Sequence, residues 1–321
     1  MRHDLNLFDG LTLGGIMLLL CPIFCFADEP QSLEVAYSLT ANNQWPDLVD
    51  CEIGNVTFQI DGPKLWTLNG LEYRNHSIAT RDSAYGTVLN IDGAGLLGSA
   101  HFLDVPGGPG EIEKEHVTDL LFFVNDAQVN HNLPKLSVVG TSFRMKRRST
   151  IRAARLESEV TVQNDVLTET VRMQTTMDIR LKLAYPLMYA WSPKMTDYMF
   201  GDDSGILKRG QFIASTAKAG EGLERTARWM AVYDSVNHCG AVCQLLQSPA
   251  SEDVWFQYTD APGVYRKLRL MSFSEKSMPA GFDGTFLAAI SFFIAEPAVW
   301  EKTAVGRLQS MPSTTDRPTS K

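Results

Sequence analysis

Two histidines and a set of glutamates flank a loop that has the makings of a proton-transfer site. In this 321-residue chain His101 precedes the stretch VPGGPG, and Glu111, Glu113, Glu115 and His116 follow it. An imidazole titrates near neutrality and an enclosed carboxylate can be raised to meet it. A His–Glu pair held across a hairpin therefore supplies both a general acid and a general base. If residues 111–116 are extended, the three glutamates share one face and His116 takes the other. His101, His116, Glu113 and Glu115 are the catalytic candidates. The competing reading makes the histidines hydrogen bonders that support the loop and leaves the glutamates in solvent. The two histidines and one glutamate are acceptable metal ligands, but the pattern requires neither a metal nor a cofactor.

A second group is aromatic. Tyr185, Tyr189, Trp191, Tyr198 and Phe200 surround Pro186 and Pro193, and Arg228, Trp229 and Tyr233 follow in a later segment. Aromatic rings stack on flat apolar faces while a guanidinium binds oxygens. Tyr189, Trp191, Arg228, Trp229 and Tyr233 are accordingly the candidates for ligand contact. Trp191 falls where Ser192-Pro193 ends its segment, which predicts an exposed platform. Burial of the alternating tyrosines in a core is the alternative.

Other motifs carry less. Gly93-Ala94-Gly95-Leu96-Leu97-Gly98 is a literal GxGxxG, but the phosphate-cradling version must open a helix, and the residues that follow read as strand. No GxSxG elbow and no HExxH occurs. His238-Cys239-x-x-x-Cys243 offers three ligand types without the fourth that a structural zinc site wants. Arg144, Lys146, Arg147, Arg148, Arg152 and Arg155 form a basic cluster, read as a solvated face or a polyanion contact. Asn55-Val56-Thr57 and Asn75-His76-Ser77 match the glycosylation sequon.

The elements that must position these groups alternate with period two. Leu156, Ser158, Val160 and Val162 oppose Glu157, Glu159 and Thr161. Leu167, Val171, Met173 and Met177 oppose Thr168, Thr170, Arg172 and Gln174, and Leu181, Leu183, Tyr185, Leu187 and Tyr189 are expected on one face. Further strands are predicted at 56–60, 64–73, 86–91, 117–124, 136–145, 211–218, 227–233, 254–258, 265–273 and 285–295, with one good helix at 299–309. No strand–helix alternation appears, which excludes a parallel α/β fold. The fold class is all-β, a large antiparallel β-sandwich with few short helices.

That description, together with residues 64–124, resembles the galactose mutarotase-like β-supersandwich of sugar epimerases and of domains in polysaccharide lyases. The stretch reads KLWTLNGLEY, SAYGTVLNIDGAGLLGSAHF, VPGGPGEIEKEH and VTDLLFFVND. The resemblance implies a carbohydrate or polysaccharide partner. It also implies epimerase or lyase chemistry, in which the His/Glu group would serve anomeric ring opening or β-elimination. A non-catalytic glycan-binding protein and a structural envelope-associated sandwich are the alternatives.

Composition sets the outer limits. Hydrophobic residues make up 44%, enough for an ordinary core, and 29 Lys+Arg against 37 Asp+Glu give a net charge of −8, which disfavours nucleic acid. The apolar run Leu11 to Phe26 is followed by Asp28-Glu29-Pro30, and Cys25-Phe26-Ala27 puts small residues where a signal peptidase cuts. The run is shorter than the roughly 20 residues that span a bilayer. Residues 1–27 are read as a signal peptide, 28–309 as a single sandwich domain and 310–321 as a disordered polar tail. The mature chain is read as secreted or periplasmic without a membrane span, and an uncleaved anchor is the alternative. Beyond the leader only Cys51, Cys239 and Cys243 remain, too few for a disulfide framework. N-terminal sequencing of exported protein should begin at Asp28; material beginning at Met1 would rule out cleavage.

Overall fold

Rows of alternating apolar residues pair into two sheets that turn those rows toward each other. The structure, a computed structural model, describes residues 45–80, 86–92, 95–98, 115–130, 133–212, 220–224, 227–249, 255–261, 265–273 and 275–311. The chain's contacts divide it into Met1–Ser32, outside the described residues, and Leu33–Lys321, to which everything below refers. The leader, His101, Glu111, Glu113 and nearly all of the polar tail also lie outside the described residues.

The first sheet runs Gly220–Glu224, Trp255–Ala261, Tyr265–Ser272, Ile179–Trp191, His76–Ala79, Thr67–Tyr73, Val56–Asp61, Leu48–Ile53, Lys135–Gly140. Lys276–Met278 and Val88–Ile91 also pair with the long Ile179–Trp191 strand, and Gly95–Gly98 pairs with Val88–Ile91. The second sheet runs Gly205–Gln211, Asp197–Asp202, Trp229–Asp234, Cys239–Gln247, Asp283–Ile294, Val166–Thr175, Ala154–Gln163, Ser142–Ile151, His116–Val124, Ala127–Gln128. Pairing is antiparallel except where Leu48–Ile53 meets Lys135–Gly140 in parallel. Residues 95–98 of the glycine motif form one strand of a hairpin: Gly95 pairs with Ile91 and Gly98 with Val88.

The sheets are glued by the residues the alternation turns inward. Phe58 of the first sheet meets Phe143 of the second edge-on at 5.2 Å, and Tyr73 stacks on Phe292 at 5.6 Å. Such pairs add about 0.5–1.5 kcal/mol each beyond the area they bury. The helix Trp300–Gln309 appears where periodicity puts it and covers the outer face of the second sheet. There Trp300 lies parallel to Tyr233 at 5.1 Å, and the Tyr233 hydroxyl donates to the Ala295 carbonyl at 2.6 Å.

Three strand expectations are corrected. The segment 136–145 is two strands in different sheets, Lys135–Gly140 and Ser142–Ile151. The chain crosses between them at Thr141, where the Asn125 side-chain oxygen accepts from the Thr141 N–H (2.8 Å), the Thr141 hydroxyl (3.0 Å) and the Ser142 N–H (3.2 Å). A side chain at Gly140 would press on Val124 and on the Asn125 oxygen that holds this corner, so both would have to shift. The strand expected at 211–218 lies earlier, at Gly205–Gln211, with residues 213–219 outside the described set. The expected common face of residues 181–189 is also broken. Register shifts between Leu181 and Leu183 and between Ala184 and Leu187 keep Leu181, Leu187 and Tyr189 in the core. They turn Leu183 and Tyr185 outward onto Val88 and Met188.

One buried charge spans the interior. Arg147 takes the inward position between Met145 and Ser149, so it is 4% exposed and belongs to the core rather than to the basic cluster. It pairs with the buried Glu115 at 3.2 Å, and Ser149 donates to the same Glu115 oxygen. Its other terminal nitrogen crosses to the first sheet and donates to the Leu65 carbonyl at 2.6 Å. Leu65 and Trp66 both hold positive φ, 62° and 50°, which costs a non-glycine residue about 1–2 kcal/mol and must be supported by such contacts. Losing one partner of a buried pair strands the other charge. Arg147→Met should therefore lower the unfolding free energy by about 3–5 kcal/mol in urea titrations, and Arg147→Met combined with Glu115→Leu should recover most of it. A single-variant loss below about 1 kcal/mol would show that the pair carries no such weight.

Candidate functional site

The outer face of the second sheet, on the half the helix leaves open, presents its polar side chains in ranks set by strand register. Across one rank stand Asp119, Arg148, Glu157, Arg172 and Thr285. Arg148 reaches Asp119 at 3.6 Å and Glu157 at 3.4 Å; Arg172 reaches Glu157 at 3.4 Å. Arg172 also forks onto Asp283, with Nε–Oδ1 at 2.7 Å, and Gln174 donates to the same carboxylate at 2.9 Å. That guanidinium fork holds the Asp283 carboxyl down at about 2. The next rank is Leu121, Lys146, Glu159 and Thr170, with Lys146 and Glu159 at 3.5 Å. Beyond it come Phe123, Arg144, Thr161 and Thr168. The Arg144 guanidinium lies over the Phe123 ring at 4.4 Å, and the two threonine hydroxyls hydrogen-bond to each other.

The first two ranks and Arg144 of the third line an open groove of about 740 Å³. Exposed ion pairs contribute little stability individually. Their effect here is to hold planar donors and acceptors in a fixed array on rigid strands, where they can meet the vicinal hydroxyls of a polyol.

The residues singled out in the sequence fall in four places. His116 is exposed on this outer face, opposite Thr150. Glu115 is enclosed and committed to Arg147 and Ser149. His101 and Glu113 lie outside the described residues. The aromatic group is in the core: Trp191 is fully buried and lies 5.9 Å from Tyr189 on the same inward face. This overturns the expectation of an exposed Trp191 platform, because the strand keeps its inward parity through Trp191 before the turn at Ser192. Trp229 and Tyr233 are buried too, between the second sheet and the helix. The Trp229 ring covers Gly201, where a side chain would collide with it, and its Nε1 donates to the Asp202 carbonyl at 3.1 Å. Arg228 is half-buried and donates to the Ala227 carbonyl at 3.2 Å. Cys51, Cys239 and Cys243 are buried free thiols, and burial pushes Cys239 up to about 12.

Two titratable groups escaped the sequence reading. Lys267 is 6% exposed on the outer side of the first sheet, opposite Ala190; burial and the neighbouring Arg269 bring its amine down to about 7. Glu169 shares the inward parity of Leu167 and Val171, and its carboxyl is enclosed beside a one-water void of about 10 Å³ with Tyr189. Burial raises it to about 7, against the opposing pull of the Arg147 charge and the Tyr189 hydroxyl. A glutamate at an inward parity position was the available signal.

No protein-family model and no curated protein matches this chain. Solved structures do. The galactosidase domain of the alpha-galactosidase-sucrose kinase AgaSK matches at 9% identity over 82% of this chain and 42% of that one, with a TM-score of 0.49. The GH36 alpha-galactosidase AgaB from Geobacillus stearothermophilus matches at 9% identity over 82% of this chain and 41% of that one, with a TM-score of 0.50. A galactose mutarotase-like protein from Lactobacillus casei matches at 6% identity over 77% of this chain and 100% of that one, with a TM-score of 0.45. The chain thus spans about two fifths of the galactosidase chains it matches. What is shared is the fold. Its resemblance to galactose mutarotase-like proteins, drawn in the sequence from residues 64–124, extends over most of the chain.

The raised Glu169 has a testable sign. Its folded value lies above the unfolded one, so the neutral acid is favoured by folding, and stability falls as pH rises from about 4.5 through about 7. The whole span is worth about 3 kcal/mol. In urea titrations at pH 5 and pH 8, Glu169→Gln should lose less stability over that interval than the parent. A difference between variant and parent that does not change with pH would contradict the assignment.

Proposed function

We propose that this is an exported saccharide-binding protein whose ligand lies in the groove on the outer face of the second sheet. The observation that carries the reading is the groove itself: ranks of Arg, Lys, Glu and Thr beside the half-buried Phe123 ring, on rigid strands and open to solvent. The fold it shares with a galactosidase supports a carbohydrate ligand by analogy. Export rests on the apolar run and the cleavage pattern at Ala27. Among the described residues no histidine–carboxylate pair faces the groove in ion-pair contact: the carboxylates there are engaged by Arg and Lys, and His116 stands opposite Thr150. Binding is therefore the primary reading.

The catalytic alternative, an epimerase or lyase with His/Glu acid–base chemistry, rests on His101, Glu113 and His116. It requires that His101→Ala or His116→Ala reduce turnover by roughly 10²–10⁴-fold with folding intact.

The binding reading is tested by affinity electrophoresis through neutral, acidic and sulfated polysaccharides. Retention by at least one is expected. Arg148→Gln, which removes a guanidinium fork from the groove lining, should weaken it by about 1.5–3 kcal/mol, the worth of a hydrogen bond to a charged group. No retention in any gel would sink the reading.

A further inference from the structure

Charge is not uniform along the groove, and the gradient points to the class of saccharide. This inference rests on the groove being the binding site. The rank through Arg148 sets two carboxylates, Asp119 and Glu157, against two guanidiniums, Arg148 and Arg172, so it is balanced, and Arg172 is further engaged by Asp283 of the neighbouring rank. The rank through Lys146 is balanced by Glu159. The rank through Arg144 contains a cation with no carboxylate within ion-pair distance among the described residues; its neighbours are the Phe123 ring and Thr161. Moving along the strands, two balanced ranks thus give way to one whose only charge is a cation.

Stacking on Phe123 fixes the plane of the Arg144 guanidinium without using its N–H donors, and a fixed fork of donors suits a planar carboxylate. Arg144 lines the groove next to the balanced Lys146–Glu159 pair. We infer that the groove takes a saccharide bearing a carboxylate, a uronic acid residue, with that carboxylate at Arg144 and the neutral part of the chain crossing the Lys146 and Arg148 ranks.

The test uses the full-length exported protein and a panel of oligosaccharides of galacturonate, glucuronate and mannuronate, each beside its own carboxyl-reduced neutral form. Calorimetric titration should show at least one uronate bound roughly tenfold or more tighter than its reduced form. The preference should shrink as salt rises, because Arg144 is only half-buried and its contact stays within reach of solvent ions. In Arg144→Gln the preference should fall to about unity while affinity for the reduced form stays within about twofold. Arg155→Gln, a change to an exposed arginine of the same face without an ion pair among the described residues, should leave the preference intact. Equal binding of acid and reduced forms, or a preference that survives Arg144→Gln, overturns the inference but leaves the groove as a saccharide site. Binding confined to sulfated glycans also overturns it. Absence of binding across both the acidic and reduced panels and the polysaccharide gels removes the groove reading itself.

Discussion

A guanidinium enclosed between two sheets cannot be left without partners, and the way Arg147 finds them determines much of the surrounding architecture. Its carboxylate comes from Glu115, immediately before the His116–Val124 strand, and its carbonyl comes from the left-handed turn at Leu65 in the opposite sheet. Each partner fixes a different piece of chain: the entry to an outer strand in one case, a strained corner in the other. The same arginine lies close enough to Glu169 to offset part of that residue's burial. The interior thus carries a line of polar groups through an otherwise apolar sandwich. Such lines tend to specify one registry between layers where grease alone would allow several, at a cost in stability relative to hydrophobic packing.

The two faces of the second sheet show how parity sorts chemistry. Inward positions of the Ser142–Ile151 strand read Phe143, Met145, Arg147, Ser149 and Ile151; outward ones include Arg144, Lys146 and Arg148. Adjacent arginines in sequence therefore have opposite fates, one as a structural cross-link and the others as members of an exposed array. On the half of that face covered by the helix, Tyr233, Phe293 and Trp300 stack in series. The open half is the one with the charged ranks, so a single sheet face is divided between packing and solvent-facing polarity.

The all-β class and the terminal helix could be read from the sequence because their signals are local: period two, or an amphipathic run near the end. The division of Lys135–Ile151 between sheets could not, since alternation continues almost unbroken through Gly140 and Thr141. Only the Asn125 contacts made from a distant turn show the break. The two bulges in Ile179–Trp191 were hidden for a similar reason, as an inserted residue shifts parity without changing residue type. Trp191 was misplaced because a following Ser-Pro marks a strand end without saying which face the last side chain takes. The groove was half legible. Its basic residues stood out as a cluster, but the carboxylates that divide it into ranks come from other strands, and their alignment depends on register.

The crossing at Gly140–Thr141 is one of many. Following the chain, the backbone passes from the first sheet to the second and back several times before Asp283–Ile294 closes the second sheet's middle. The parallel pairing of Leu48 with Lys135 joins segments far apart in sequence. Neither sheet is a contiguous stretch of polypeptide, so no single cut separates one intact layer from the other. A ribosome must also emit residues through Met278 before the first layer has all its strands, and through Ile294 before the second does. Assembly is then dominated by non-local closure, the topology associated with slow folding and prolonged exposure of unpaired edges.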